Sequence, residues 1–326
     1  MTSLAVMWAG TSQRVLRSTD AGRHWSDVTP AGISPRSWTA FYALDDSAAW
    51  VVDSPFGTRR YVILRTVDGG HTWSAAPGTI AGGSIGGVTF VDRIHGWATN
   101  FLGAAAGSEA VGVLRSGDGG ESWSLVAQTD DPSGLQPSPN GLSFSCDKGA
   151  ADFATPMIGF LTQDCAGGPP GIYRTVDGGA HWRLVTLPYI GQPAAQASSQ
   201  DPIILTATDA VMEGLYFYGV SSSADALLVT HDAGTSWRAE ALPGTGAIDF
   251  ESVTSGWQLD SPIQATTDGG LTWHPLAVPA APFASSDMGL QDLGKGIAMA
   301  WSRRAAYRTD DGARTWRVIT PPGLHD

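Results

Sequence analysis

Short apolar runs alternate with polar turns along the whole of this 326-residue chain. Runs such as Tyr61-Val62-Ile63-Leu64 are rich in β-branched side chains, and clusters of Gly, Asp, Ser and Thr separate one run from the next. Runs of this length and composition are typical of β-strands joined by tight turns. The pattern predicts an all-β protein.

One octapeptide, Ser/Thr-x-Asp-x-Gly-x-x-Trp, recurs between these runs, and only its last copy departs, with Ala313 in the glycine position. The seven copies begin at Ser18, Thr66, Ser116, Thr175, Thr230, Thr266 and Thr309. Because apolar runs flank each Asp-Gly segment, every copy predicts a β-hairpin. We expect the Asp to accept N–H groups of its own turn, the Gly to supply a positive φ, and the Trp to cover the second strand.

The repeated aspartates are expected to be structural. They are Asp20, Asp68, Asp118, Asp177, Asp232, Asp268 and Asp311. A calcium loop would need alternating Asp or Asn ligands and a distal Glu, which the octapeptide lacks. The sequence therefore predicts no metal site, and it shows no cofactor motif.

The octapeptide resembles the Asp-box, also called the bacterial neuraminidase repeat, which lies between the third and fourth strands of β-propeller blades. Thr89-Phe90-Val91-Asp92 with His95-Gly96-Trp97-Ala98, and Asp249-Phe250 with Ser255-Gly256-Trp257, resemble the first two strands of such blades. In this fuller form the chain is similar to the photosystem II stability/assembly factor group and its non-photosynthetic bacterial relatives. The resemblance implies a seven-bladed β-propeller. Asp-boxes also occur in sialidases, xyloglucan-cleaving glucanases and sortilin-type receptors, so the resemblance does not determine an activity.

Seven units of four short strands predict one propeller domain over residues 1–326. The expected blades cover about 1–30, 31–78, 79–129, 130–188, 189–243, 244–279 and 280–326. The first blade lacks a segment for its first strand, and Pro321-Pro322 prevents the C-terminal residues from supplying it. Either that blade has three strands, or residues upstream of Met1 complete it.

Composition restricts the partners and the compartment. The net charge of −12 argues against nucleic acid, because binding phosphates normally needs a basic face. No apolar run approaches the length of a membrane span.

Cys146 and Cys165 lie in one repeat, where either a reduced pair or a disulfide fits; we expect the disulfide, and with it an exported protein. Met1-Thr2-Ser3 shows no signal peptide, so we expect the leader to be missing from this sequence.

The expected site lies at the propeller end that carries the variable connections, because binding residues concentrate on loops held by a rigid scaffold. Three predicted first strands carry an acid just before a large apolar residue, at what we take as one register: Asp152, Asp249 and Asp292. Glu251 lies close by. These carboxylates could converge on the channel and attract a cation or a polar ligand, or each could hydrogen-bond the adjacent blade.

Arginines recur immediately before the octapeptide, at Arg17, Arg65, Arg115, Arg174 and Arg308, and this regularity predicts pairing with a neighbouring blade. Better ligand candidates lie in the variable connections: Arg36, Arg59, Arg60, Arg303 and Arg304. Trp38 and Tyr189 lie between blades and could stack on a sugar or a peptide aromatic. The histidines at 24, 71, 181 and 231 fall at octapeptide positions that vary between copies, and we expect them to be solvated.

Catalytic motifs are absent: the chain has no His-Glu-x-x-His, no Gly-x-Ser-x-Gly and no zinc-spaced Cys/His cluster. The first hypothesis is therefore a non-catalytic, monomeric binding or assembly-assisting propeller that holds a protein or peptide segment on its loop-bearing face. The second is a glycoside hydrolase that uses paired aspartates at the channel mouth to act on a glycan. A sialidase fits poorly, because the Arg-Ile-Pro motif of that family is missing.

Overall fold

The computed structural model describes the chain except for residues 1–4, 12, 34–37, 55–59, 76–79, 82, 105–107, 130–137, 166–169, 192, 195, 220–221, 280, 283–287, 303 and 324–326. Its regular structure is entirely β, in seven antiparallel sheets. This is the seven-bladed β-propeller that the sequence predicts, and the fold class is confirmed. No helix long and apolar enough to cross a membrane occurs in the described ranges.

The chain divides into two compact units, Met1–Thr186 with Asp326, and Leu187–His325. The first unit contains four sheets and the second contains three. The assignment of residues 1–326 to one domain remains a prediction.

The first unit holds the first four blades. Its strands are β1 (Met7–Gly10), β2 (Val15–Ser18) and β3 (Ser26–Asp27); β4 (Trp38–Ala43), β5 (Ala49–Asp53), β6 (Arg60–Thr66), β7 (Ser74–Ala75) and β8 (Ile80–Ala81); β9 (Ser84–Phe90), β10 (Gly96–Ala104), β11 (Glu109–Ser116) and β12 (Ser124–Gln128); and β13 (Asp147–Phe153), β14 (Gly159–Asp164), β15 (Gly171–Thr175) and β16 (Arg183–Thr186). Within the described residues the first sheet has three strands. β8 pairs with β6, so residues 80–81 join the second blade and not the third, where the sequence analysis placed them.

The second unit holds the last three blades. Its strands are β17 (Gln196–Ser199), β18 (Ile203–Ile204), β19 (Ala210–Gly219), β20 (Ser222–Thr230) and β21 (Arg238–Ala241); β22 (Ile248–Phe250), β23 (Gly256–Gln258), β24 (Gln264–Thr266) and β25 (His274–Pro275); and β26 (Gly289–Gly294), β27 (Ile297–Trp301), β28 (Ala306–Thr309) and β29 (Arg317–Val318). β17 and β18 both pair with β19, so they divide the first-strand position of the fifth blade. Pro202, which has no N–H to donate, lies between them.

Each octapeptide closes the hairpin between the third and fourth strands by bonds within its own turn. In the third blade, Ser116 Oγ donates to Asp118 Oδ1 at 2.8 Å and accepts the N–H of Gly120 at 2.8 Å. The same Asp118 oxygen accepts the N–H of Ser122 at 2.9 Å. The other six copies repeat this set of bonds. The predicted turn chemistry is therefore present in all seven turns.

The seventh octapeptide position also belongs to the turn, which the sequence analysis missed. Its side chain contacts the second carboxylate oxygen, as Ser122 Oγ does with Asp118 Oδ2 at 2.5 Å. Only Thr, Ser or His occupies it. The expectation that His24 and His181 lie at freely varying positions was wrong, because their Nδ1 atoms lie 2.5 and 2.6 Å from Asp20 and Asp177.

Tryptophans of the second strands join neighbouring blades of the first unit. Trp50 stacks on Phe90 of the next blade with ring centroids 3.6 Å apart, and its Nε1 donates to Gly119 O at 2.9 Å. Trp97 stacks on Phe153 at 3.7 Å and donates to Gly178 O at 2.9 Å. The hydrophobic core of this unit therefore lies between blades, where buried aromatic rings of adjacent sheets meet.

Two of the five arginines before the octapeptide, Arg17 and Arg65, bond to the next blade, as predicted. Arg308 pairs with Asp310 of its own octapeptide at 2.7 Å. Arg17 donates to Asp46 O of the next blade at 2.8 Å, and Arg65 donates to Asp118 O at 3.4 Å. In the fifth blade Val229 takes the arginine position, and Arg238 instead reaches Gly269 O of the sixth blade at 2.8 Å.

Candidate functional site

The loop end of each sheet, opposite its octapeptide turn, carries most of the predicted arginine and aromatic candidates. Arg36, Arg59 and Arg303 lie outside the described residues. Trp38 and Arg60 are the first residues of β4 and β6, and their side chains also lie outside the described part. Arg304 is exposed, and its backbone N–H donates to Ser302 Oγ at 3.1 Å.

Tyr189 is packed rather than free. Its ring meets that of Tyr216 edge-on, with centroids 5.9 Å apart. The hydroxyl groups of Tyr216 and Tyr218 donate to Pro188 O and Ile190 O at 2.7 and 2.9 Å, on either side of Tyr189 in the chain. This half-buried residue therefore forms part of a fixed strap over the fifth sheet.

The three acids predicted to share one register do not all share it. Asp152 pairs with Phe160, and Asp249 pairs with Trp257, which are equivalent positions. Asp292 pairs with Ala298, the position that Phe250 takes in the sixth blade. The shift arises because the turn between β26 and β27 has only two residues, Lys295 and Gly296, both at positive φ. The sequence analysis aligned Asp292 by the large apolar residue that follows it in the chain. Because of the short turn, this alignment places Asp292 one residue away from its true position in the strand.

Three predicted acids come together in the second unit. Asp249 Oδ2 accepts the N–H of Asp292 at 2.7 Å, and Glu251 Oε2 accepts the N–H of Lys295 at 3.1 Å. Asp292 Oδ1 accepts the N–H of Gly294 at 2.9 Å, whereas its Oδ2 is buried with no hydrogen-bond partner. We call Asp249, Glu251 and Asp292 the acidic cluster. Asp152 belongs to the first unit.

Burial controls the protonation of two carboxyls of the acidic cluster, Asp249 and Asp292. It raises the pKa of Asp249 to about 7, and the charge of Asp292 adds to the rise. Burial also raises the pKa of Asp292 to about 6, with a contribution from Glu251. In the same unit, burial and the charge of Asp225 raise the pKa of Glu213 to about 7. These carboxyls therefore hold protons at pH values where ordinary surface carboxyls have lost them.

The first-strand position of Asp152 and Asp249 links blades. In the second blade Tyr42 occupies it, pairing with Trp50, and its hydroxyl donates to Phe90 O of the third blade at 2.8 Å. Burial raises the pKa of Tyr42, and the charge of Asp152 contributes. Asp249 makes the corresponding bond to the main chain of Asp292. The sequence analysis left two alternatives for Asp249, convergence on the channel to attract a ligand or a hydrogen bond to the adjacent blade. The structure shows the hydrogen bond to the adjacent blade.

Polar side chains that the sequence analysis did not single out are buried at the loop ends of the second strands. Thr11, Asp53, Asn100 and Gln163 lie at equivalent positions in the first four blades, and each is at most 7% exposed. Asn100 Oδ1 and Gln163 Oε1 have no hydrogen-bond partner. The recurrence of a polar residue at this position in the first four blades was the available signal.

A disulfide joins Cys146 to Cys165 with an S–S distance of 1.93 Å, the pairing that the sequence analysis favoured. Next to it, the buried Lys148 donates through Nζ to Ser145 O and Cys146 O at 2.5 and 2.8 Å. Burial lowers the pKa of Lys148 to about 8, against the charges of Glu109 and Asp147. The described residues contain no group of three or more His, Cys, Asp or Glu side chains that could hold a metal ion.

Trp301 is an exposed aromatic residue that the sequence analysis also missed. It ends β27 at the loop end of the seventh sheet and is 43% exposed. Its ring lies over its cross-strand partner Gly289, where a Cβ atom would come within 2.7 Å of the ring. The missing side chain of Gly289 therefore lets the indole lie against β26.

Comparison with known proteins gives relatives of two kinds. No protein-family profile matches the chain. A curated xyloglucanase of Paenibacillus sp. is 27% identical over 281 residues, which cover 79% of this chain and 23% of that enzyme. The chain thus spans about a quarter of the length of this relative.

Among solved structures, the chain is similar to YCF48 bound to D1 peptide, with a TM-score of 0.56 and 14% identity over 91% of this chain and 87% of that one. It is also similar to YCF48 from Cyanidioschyzon merolae, with a TM-score of 0.55 and 17% identity over 89% and 86% of the two chains. At these identities, the likenesses show the propeller fold alone.

Proposed function

We propose that this protein is a non-catalytic, exported, monomeric propeller that binds an extended protein or peptide segment at the loop ends of its sheets. On this proposal the octapeptides are Asp-boxes, and the protein acts like the assembly-factor propellers that it resembles. The main support for the proposal is that the carboxyls of the acidic cluster are engaged in hydrogen bonds within the protein. Its carboxyls accept main-chain N–H groups of β26 and the following turn. A glycosidase instead needs two carboxyls directed at one substrate.

Exposed apolar and cationic side chains at the loop ends suit a peptide ligand. Trp301 and Arg304 are exposed in the second unit, and Leu102 is 41% exposed at the loop end of the third blade. Aromatic and arginine side chains carry much of the binding energy in protein interfaces. A propeller of the same fold, YCF48, is described as bound to a D1 peptide, which agrees with this class of ligand.

The test is selection of binders from a random peptide display library on the native protein. We expect enriched peptides to lose about tenfold or more in affinity, or about 1.4 kcal/mol, with Trp301→Ala or Arg304→Ala. The matched control is Leu271→Ala, at an exposed apolar residue of an octapeptide turn. A lack of enrichment, or peptides that respond to Leu271→Ala and not to the loop-end variants, would count against the proposal.

A glycoside hydrolase is the second candidate. The 27% identity to a xyloglucanase favours it, as does Asp249, whose pKa of about 7 suits a general acid. The protein would be assayed for turnover of xyloglucan and of other plant, bacterial and sialylated glycans, with Asp152→Asn and Asp249→Asn alongside. Turnover that either variant abolishes would favour the hydrolase over the binding protein.

A further inference from the structure

The innermost strands of the sixth and seventh blades are joined by acidic side chains on one strand and N–H groups on the other. Asp249 and Glu251 are two residues apart along the chain, at β22 and just after it, so they project on the same side. Their carboxylates accept the N–H groups of Asp292 and Lys295. Gly294 permits the close approach, because a Cβ atom there would lie 2.3 Å from Glu251 Oε2.

Among the described residues, no positive side chain forms an ion pair with this cluster. Asp292 is 8% exposed, and its Oδ2 has no partner. β22 and the residue after it contribute Asp249 and Glu251, β26 contributes Asp292, and the Lys295 contact is made by its backbone N–H. Neither β23 nor β27 contains a titratable residue. None of the ion pairs among the described residues involves the three carboxyls.

The other face of β22 is apolar. Ile248 and Phe250 pack with Val211, Leu227 and Val229 of the fifth blade. This face offers no countercharge and excludes water, so the charges of the cluster act in a medium of low dielectric constant. When all three carboxyls are ionised they repel one another, and the unpartnered Asp292 oxygen bears a buried charge. A bound proton converts that oxygen into a neutral hydroxyl.

We propose that Asp249, Glu251 and Asp292 form a proton-operated latch between β22 and β26, closed while Asp249 and Asp292 hold protons and loosened when both are ionised. Loosening frees the start of the β26–β27 turn, whose Lys295 N–H depends on Glu251. The latch makes the inner edge of the seventh blade sensitive to acidity near neutral pH. The latch is independent of the proposed function, because none of its contacts involves a ligand or a substrate.

The pKa values give the direction of the response. Asp249 and Asp292 have folded-state pKa values of about 7 and about 6, above the ordinary value of 3.8. The stabilisation from their protonated forms is therefore complete below about pH 4 and is lost as the pH rises through about 6 to 7.

Hydrogen–deuterium exchange of the whole protein, corrected for the intrinsic rate at each pH, tests the latch. We expect the amides of Asp292 and Lys295 to lose about tenfold or more of their protection between about pH 5 and pH 8. The octapeptide Ser116–Trp123 is the internal reference, because the pKa of Asp118 is lowered and its carboxylate stays ionised over this range. Equal protection of the two amides at both pH values would overturn the proposal.

Isosteric variants separate the latch from general fragility of the seventh blade. Asp292→Asn removes the buried charge of that residue and supplies a donor, so the loss of protection should shrink to the part that the ionisation of Asp249 causes. Glu251→Gln is the second variant if Asp292→Asn does not fold, and it should move the loss of protection to lower pH, because it removes a charge that raises the pKa of Asp292. Asp225→Asn, at another carboxyl whose pKa burial raises, is the matched control and should leave the response intact. A response that persists unchanged in both cluster variants would also overturn the latch.

Discussion

Two consecutive residues at positive φ determine which side chains each octapeptide turn accepts. In the third blade they are Gly119 and Gly120, at +77° and +93°, in the left-handed region that favours glycine. Alanines adopt it at Ala21, Ala233 and Ala313, so glycine is preferred at these positions without being indispensable. What differs between turns is the neighbour that a Cβ atom would meet.

Gly119 and Gly312 occupy the same position of their turns and offer a matched comparison of that effect. A Cβ at Gly119 would lie 2.5 Å from Arg93 O, whereas at Gly312 the nearest atom is 3.6 Å away. We expect Gly312→Ala to cost about 1 kcal/mol, for the left-handed backbone alone. Gly119→Ala should cost more, because the backbone carbonyl of Arg93 must also move. Urea denaturation checks the difference, and equal losses would show that the backbone conformation alone sets the penalty.

The stacked tryptophans make each pair of neighbouring blades in the first unit depend on the other. Trp50 reaches both the first strand and the octapeptide of the third blade, through Phe90 and Gly119. Trp97 makes the corresponding two contacts with the fourth blade. Each of these tryptophan side chains thereby fixes the position of the next blade at two points, its first strand and its octapeptide turn.

Trp50→Phe should keep the stacking on Phe90 while removing the donor to Gly119 O. Because Gly119 is buried, we expect a loss of about 1–3 kcal/mol in the free energy of unfolding. Trp301→Phe, at an exposed indole, is the control and should change stability little. A smaller effect at Trp50 than at Trp301 would show that the N–H bond contributes nothing to the joint.

The disulfide links the first two strands of the fourth blade at their loop ends. Cys146 precedes β13 directly, Cys165 follows β14 directly, and their Cα atoms are 4.7 Å apart. Maleimide labelling of the native protein without reductant should modify neither cysteine, and labelling after reduction in denaturant should modify both. Two reactive thiols in the unreduced protein would refute the bond and remove the basis for proposing export.

Carboxyls of two kinds give the whole protein opposite responses to pH. Hydrogen bonds within the turns lower the pKa of octapeptide aspartates such as Asp68 and Asp268 to about 2. Burial raises the pKa of Asp249 and Glu213 to about 7. The first kind contributes stability above about pH 4 that is lost as the pH falls through about 2, whereas the second contributes stability below about pH 4 that is lost as the pH rises through about 7.

The free energy of unfolding should therefore be greatest near pH 4 to 5 and should fall on both sides. Urea denaturation at a series of pH values from about 3 to 8 checks this. Glu213→Gln should flatten the decline on the alkaline side, because it removes one carboxyl whose pKa is raised. Stability that rises steadily from pH 5 to 8 would contradict the assignment of buried, protonated carboxyls to the second unit.

The local features of this protein followed from its sequence, because the groups that make them lie close together in the chain. The octapeptide completes its hydrogen bonds within eight residues, so its hairpin could be read from each copy. Seven copies, each with apolar runs around it, were enough to predict seven blades. The pairing of Arg17 and Arg65 with the next blade also followed, from the regular spacing of the arginines.

Only the tertiary structure decided what depends on contacts between blades. The two-residue turn after β26 moved Asp292 out of the register of Asp249, and no count along the chain revealed it. The roles of Asp249 and Tyr42 depend on a main chain more than forty residues away. A repeat determines its own turn, but the neighbouring sheet, with its own turn lengths, determines what each side chain meets.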